Sequence, residues 1–255
     1  MENLIYVSAD GDDANSGEQA SPLKTISAAS AKVQSGQLVL IGPGVYEEQL
    51  NDLTGGRNTL EHVVYQGLDP DQPPVIRPSI GSNRALYLTT SYVTIRQLVL
   101  DGINCRYDCV KITRSGTSAA RDVRIIDCVI KNGFENGVLI SGKPQGVRDV
   151  VIRDCQVHDN GRSRRGHGVY IAVDHVAVEG CNIYRNAAWG IHAYHPDDHP
   201  SWIKITNNHV HHNGVFEPSR GAGIGVYFGS EVELSGNDVH DNPRPVLFNT
   251  GIGGL

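Results

Sequence analysis

Residues Val150–Asn160 read VVIRDCQVHDN, and the pattern returns as VAVEGCNIYRN from Val176, IKITNNHVHHN from Ile203 and VELSGNDVHDN from Val232. Earlier copies begin at Val93 (VTIRQLVLDG) and Val123 (VRIIDCVIKN), so the six starts lie 30, 27, 26, 27 and 29 residues apart. A period in this range marks a solenoid, in which each repeat is one layer that buries its apolar side against the next. Within a copy the apolar residues fall at positions one, three, six and eight, as Val150, Ile152, Cys155 and Val157 do. Alternation of period two signals a strand with one face in the core. The break between positions three and six is a bend, so each copy makes two short strands that meet at a corner.

A third strand follows a loop of variable length: ALYLT (85–89), CVKIT (109–113), GVLIS (137–141), GVYIA (168–172), GIHAY (190–194) and GVYFG (225–229). Three strands per turn, with turns stacked about 4.8 Å apart, describe an all-β right-handed parallel β-helix. Asn160, Asn186, Asn213 and Asn242 recur in register and predict a ladder of stacked amides at one corner. Cys128, Cys155 and Cys181 share position six, where other copies place Leu98, Asn208 or Asn237, and predict a stack of buried thiols. Five cysteines are an odd count, which argues against a full disulfide framework and leaves the states of Cys105 and Cys109 open. A leucine-rich repeat would need a Leu-rich consensus and a helical segment, whereas Val, Ile and Asn dominate these copies.

The repeat implies one domain over residues 1–255, with 1–50 as an N-terminal cap and first coil and 85–250 as the regular coils. Leu23, Ile26, Ala29 and Val33 have helical spacing and Pro22 stands near their start. Such a helix would cap the open end of the coil stack, where bare strand edges invite association. The loop DGDDANSG (10–17) is acidic but lacks the EF-hand spacing, and reads as a turn rich in Asx residues. The ending FNTGIGGL has no amphipathic helix, so an oligomer contact through the last coil, or a chain end folded over it, is expected there. A net charge of −6 gives no global attraction for nucleic acid or an anionic membrane. No apolar run approaches the roughly 20 residues of a membrane span. The start MENLIYVSAD carries no secretory signal. Localisation stays open between secreted or periplasmic, if a signal was removed, and cytoplasmic.

The opening IYVSADGDDANSGEQASPLKTISAA (5–29), then VYEEQL (45–50), the N-x-V-H-x-N repeats and the GVYI-type strands resemble bacterial right-handed β-helix proteins of the pectate-lyase-like superfamily. The resemblance covers nearly the whole chain. It implies the fold and a carbohydrate-active role, because that superfamily includes polysaccharide lyases, uronate C5-epimerases, glycoside hydrolases and proteins without known enzymatic activity.

In the third strands the middle residue should face outward wherever its neighbours face the core. The outward column then reads Tyr87, Lys111, Leu139, Tyr170, His192 and Tyr227, with Tyr194 two residues beyond His192. Aromatic rings can stack on sugar faces, while Lys and His can pair with carboxylates. The loop GRSRRGHG (161–168) adds Arg162, Arg164, Arg165 and His167 at the edge of this strip. A basic cluster on an acidic chain points to an anionic substrate such as a uronic-acid polymer. A purely space-filling role for these tyrosines beneath long loops is the alternative. The segment WGIHAYHPDDHP (189–200) is similar to a stretch of alginate C5-epimerases, with H-P-D-D where that family has D-P-H-D or D-P-H-E. His195, Asp197 and His199 lack the spacing of a known zinc motif, so no metal ligand is assigned. His158, His211 and His240 share position nine at a turn and read as surface decoration.

The expected chemistry is β-elimination on an acidic polysaccharide by a lyase. A base takes the C5 proton, and cations or hydrogen-bond donors stabilise the enolate. His192 is the base, Tyr170 or Tyr194 the acid, and Lys111 with Arg165 neutralise the carboxylate. Tyr87, Tyr227, Trp189, Arg164, His167 and His195 would hold the substrate. No motif demands a cofactor, and calcium is left open. Return of the proton to the opposite face of C5 would make an epimerase. Hydrolysis would need two carboxylates across the sugar, for which Asp108 and Glu135 are the best pair. A carbohydrate-binding β-helix without catalysis would use the same aromatic strip.

Overall fold

A computed structural model describes residues 4–142, 146–162, 166–195, 200–216, 221–227 and 230–249. The first strand of each repeat pairs in parallel with the same positions of the next: Val93 with Val123, Val123 with Val150, Val150 with Val176, Val176 with Ile203 and Ile203 with Val232. Every coil therefore adds one strand to each of three parallel sheets, of nine, eight and eight strands among the described residues. The chain is an all-β right-handed parallel β-helix.

The corners explain the choice of residues between strands. Position five of the six copies is Gln97, Asp127, Asp154, Gly180, Asn207 and Gly236, with φ between 53° and 64°. Left-handed backbone is costly for most side chains and cheapest for Gly, Asn and Asp, so these residues allow the bend that separates the two strands. The residue before each first strand is left-handed as well, from Tyr92 through Asp122, Asp149, His175 and Trp202 to Glu231, and there only Asp122 and Asp149 are of the favoured kind.

Inward positions are filled by Val and Ile with no exposure, among them Val123, Ile125, Ile130, Val150, Ile152, Val157, Val178 and Ile183. Cys128, Cys155 and Cys181 are buried free thiols in one stack, continued by Asn208. The predicted asparagine ladder is present. Asn160 Nδ2 donates to Asn186 Oδ1 at 3.0 Å, Asn186 to Asn213 at 2.9 Å and Asn213 to Asn242 at 3.0 Å.

The coils begin well before the regular repeat. Leu38–Ile41 pairs with Leu4–Val7 on one side and with Val63–Gly67 on the other, so the cap is followed at once by full coils. Helical spacing from Leu23 is realised only in part: the helix is Ile26–Lys32, with Thr25 as its N-cap. Leu23 instead bridges to Val7, extending the strand it follows. Ile26 and Ala29 bury completely, and Glu48 accepts from the backbone N–H groups of Ile26 and Ser27, tying the helix to the first coil. In the acidic loop, Asp13 accepts from Lys24 and Thr25 N–H, and Asp12 from Ala14 N–H. The Asp12 bond closes an Asx turn, whereas the two Asp13 bonds tie the loop to the start of the helix 11 and 12 residues along. No helix among the described residues is long and apolar enough to cross a membrane.

Candidate functional site

The second sheet carries the strands Leu86–Leu88, Val110–Ile112, Val138–Ile140, Val169–Ile171, Ile191–Ala193 and Ile224–Tyr227. In the first five, the flanking residues are fully buried and the middle residue is not. Pairing aligns Tyr87 with Lys111, Lys111 with Leu139, Leu139 with Tyr170 and Tyr170 with His192. The outward column is therefore real over five strands. At its sixth strand the sequence reading needs correction. His192 pairs with Gly225, and Tyr227 lies two residues farther along. A shift of two preserves which side chains face in, so alternation alone could not reveal it.

Gly225 has a packing reason. A Cβ there would overlap the six-membered ring of Trp189, which occupies the vacated space. Trp189 stacks on His192 with centroids 4.8 Å apart and planes 13° apart, and His192 stacks in turn on Tyr170 at 5.2 Å. His167 meets His192 at 4.8 Å, and Tyr227 meets the edges of both His192 and Tyr194. Six rings thus form one continuous aromatic zone. Burial pushes the His192 imidazole down to about 4, and its Nδ1 is buried without a hydrogen bond. Burial, with His192 beside it, also holds His167 well below the usual histidine range. His167 Nδ1 accepts from the Trp189 backbone N–H at 3.3 Å, and the residue is buried beneath the strip rather than on its surface. Burial raises the Tyr170 phenol.

A second zone lies at the Lys111 end. Arg84 Nε reaches the wholly buried Asp108 carboxylate at 3.4 Å, and Asp108 also accepts from Asn136 Nδ2 at 2.7 Å. The Arg84 guanidinium covers the Tyr107 ring at 4.9 Å and approaches Tyr87 at 5.8 Å. Burial and the neighbouring Arg84 charge lower the Lys111 ammonium, while burial and Asp108 raise the exposed Glu135 carboxyl. A cleft of about 380 Å³ lined by Gln49, Asn51, Asp52, Asn83, Arg84 and Tyr87 prolongs this zone.

Sequence reasoning passed over Arg84 and Tyr107. Arg84 had a readable signal, because residues two before each strand form their own column: Arg84, Asp108, Asn136, His167 and Trp189. Its members join successively through the bonds from Arg84 to Asp108, Asp108 to Asn136, Asn136 to the His167 N–H, and His167 to the Trp189 N–H. The fold brings Tyr170, His192, Tyr194, Trp189 and Tyr227 together, but it does not bring Lys111 to them. Three strand spacings of about 4.8 Å, roughly 14 Å, separate Lys111 from His192. His195 is half-buried just past its strand. Arg164, Arg165, Asp197, Asp198 and His199 lie outside the described residues.

Calcium takes a cage of several oxygen ligands. Here Asp108 is engaged by Arg84 and Asn136, Asp52 by Thr89, and no three acidic groups gather on this face among the described residues. Among the described residues, the donors on this face do not fit that ion.

Residues 84–253 match the family model described as a right handed beta helix region, and residues 9–53 match one described as a protein of unknown function (DUF1565). Among solved structures, the chain is similar to the pectate lyase Pel9A at 16% identity, with a TM-score of 0.70 over 91% of this chain and 62% of that one. It is similar to a rhamnogalacturonan lyase at 16% identity and a TM-score of 0.62, over 89% of this chain and 62% of the other. An alginate lyase from Paenibacillus sp. str. FPU-7 shares 16% identity at a TM-score of 0.62, over 91% of this chain and 75% of that one. At such identities the likeness is one of fold, and the chain spans about three-fifths of the length of the first two structures. No curated protein sequence matches the chain.

Proposed function

The chain belongs to the right-handed beta helix region family, and from that premise we propose that it acts on an acidic polysaccharide laid across its second sheet, by β-elimination. The observation that carries this reading is the pairing of two zones on one face: Arg84, Lys111 and Glu135 for charge, and Tyr170, Trp189, His192, Tyr194 and Tyr227 for stacking.

The pKa shifts favour the charged zone as the reacting one. A general base works best when its pKa lies near the working pH. Burial moves Lys111 towards that range and moves His192 away from it, down to about 4. We therefore assign the C5 proton to the Lys111 amine and neutralisation of the carboxylate to the Arg84 guanidinium. As the C5–H electron pair forms the C4–C5 double bond, the C4–O4 bond breaks and its electrons leave with O4. Glu135, whose carboxyl is raised by burial, is the group suited to protonate that oxygen. His192 and its ring neighbours then hold an adjoining part of the chain, with their rings against sugar faces. Burial of Asp108 and its bonds to Arg84 and Asn136 speak against a hydrolytic Asp108–Glu135 pair.

The test is to incubate the protein with a panel of acidic polysaccharides and follow the ultraviolet absorbance of the unsaturated product. Lys111→Met should lower kcat at least 100-fold, whereas His192→Ala should mainly raise KM. Loss of kcat in His192→Ala with Lys111→Met intact would return the base to the aromatic zone. Bound polymer without unsaturated product would sink elimination and leave binding alone.

A further inference from the structure

The third sheet carries a cluster that the glycan face does not use. His209–His211 pairs in parallel with Asp238–His240, His209 facing Asp238 and His211 facing His240. His209 Nε2 and His240 Nε2 stand 2.7 Å apart, and the Asp238 Oδ2 lies 3.7 Å from the first and 4.0 Å from the second. Among the described residues, this is the group of three side chains whose ligand atoms converge as a metal set.

The geometry points to a binding site for a divalent transition-metal ion of the zinc class, held by His209, Asp238 and His240. A circle through the three atoms, from sides of 2.7, 3.7 and 4.0 Å, has a radius of about 2.1 Å. Zinc sits at about 2.0–2.1 Å from imidazole nitrogen and about 2.0–2.2 Å from carboxylate oxygen. One point is thus at bonding distance from all three atoms. All three side chains are at least two-fifths exposed, so the remaining coordination positions open to water. Two imidazoles with one carboxylate form a donor set of borderline softness, suited to zinc, nickel or copper rather than to calcium or magnesium.

The next layer of contacts supports the same site. His240 Nδ1 is 2.7 Å from the Asp241 carboxylate, so the proton rests on Nδ1 and Nε2 presents its lone pair to the ion. A carboxylate behind a ligating histidine is the usual means of fixing tautomer and ring orientation. His211 stacks on His240 at 5.4 Å with planes 5° apart, which holds the ring upright. His211 itself is occupied by Asn182 and His212, and lines the site without entering it. The ion would staple Asp238–His240, the end strand of its sheet among the described residues, to the coil before it.

The experiment uses the full chain, stripped of metal by chelation and carrying no affinity tag, titrated calorimetrically with zinc chloride. One equivalent should bind to the wild type. The double variant His209→Gln, His240→Gln should bind at least tenfold more weakly, and zinc should raise the unfolding temperature of the wild type alone. These positions are on the surface, and circular dichroism verifies that the variant keeps its strands. Absence of binding by the wild type, or equal binding by the double variant, overturns the site.

Discussion

Trp189 and Gly225 depend on each other: the indole lies where the glycine lacks a side chain, and that placement stacks it on His192. Gly225→Ala should therefore expel the ring, destabilise the protein by about 1–3 kcal/mol as an overpacked site, and shift the tryptophan fluorescence. An unchanged spectrum would disprove the dependence. His192 gives a second prediction at this scale. Its folded pKa of about 4 lies below the ordinary 6.5, so its contribution to stability is complete above pH 6.5. As pH falls below 6.5 the unfolded chain takes up the proton first, and the loss approaches roughly 3 kcal/mol near pH 4. His167 acts in the same direction. The rings packed around His192 are His167, Tyr170, Trp189, Tyr194 and Tyr227. His192→Phe should flatten the decline in unfolding free energy between pH 7 and pH 4.5, and identical slopes would refute the assignment.

At the scale of the element, the coil is held by side-chain ladders as well as by strand pairing. Asn186 is fully buried, accepts from the N–H and side-chain amide of Asn160, and donates to Val157 O and Asn213 Oδ1. Asn186→Ala would take the acceptor from the buried Asn160 N–H and one bond each from the Asn160 amide, Val157 O and Asn213 Oδ1. A buried group left without a partner costs about 1–3 kcal/mol. A fall in chemical denaturation midpoint of that order is expected, and a change below about 0.5 kcal/mol would show the ladder to be decorative. These ladders are legible in the sequence, because the asparagines recur at one position of the repeat. So are the two-strand corners, whose left-handed backbone is met by Asp, Asn or Gly at position five in five of the six copies. The helix boundary and the register of the last outward strand are less legible. Leu23 has a helical spacing but a better partner in Val7, and a two-residue slip leaves every inward side chain inward.

At the scale of the whole molecule, the second sheet presents one face from Tyr87 to His192, five strands or about 19 Å long. The charged and aromatic zones lie too far apart to share one sugar, so they should act as separable subsites on a longer chain. Arg84→Ala and Trp189→Ala should each weaken binding of an acidic oligosaccharide, and their free-energy costs should add within about 0.5 kcal/mol in the double variant. Strong coupling in that cycle would place both residues on the same sugar instead.

The sequence by itself determined the coil, the three strands per turn, the inward and outward faces and the asparagine and cysteine stacks. Each of these follows from a local period, and a period is carried by neighbours along the chain. Only the tertiary structure decided that Arg84 joins Asp108 and that Trp189 fills the space over Gly225. It alone decided which groups are pulled from water and so have their protonation shifted, and that His209, Asp238 and His240 converge. These depend on contacts between coils some 30 residues apart and on desolvation, and no local pattern encodes either.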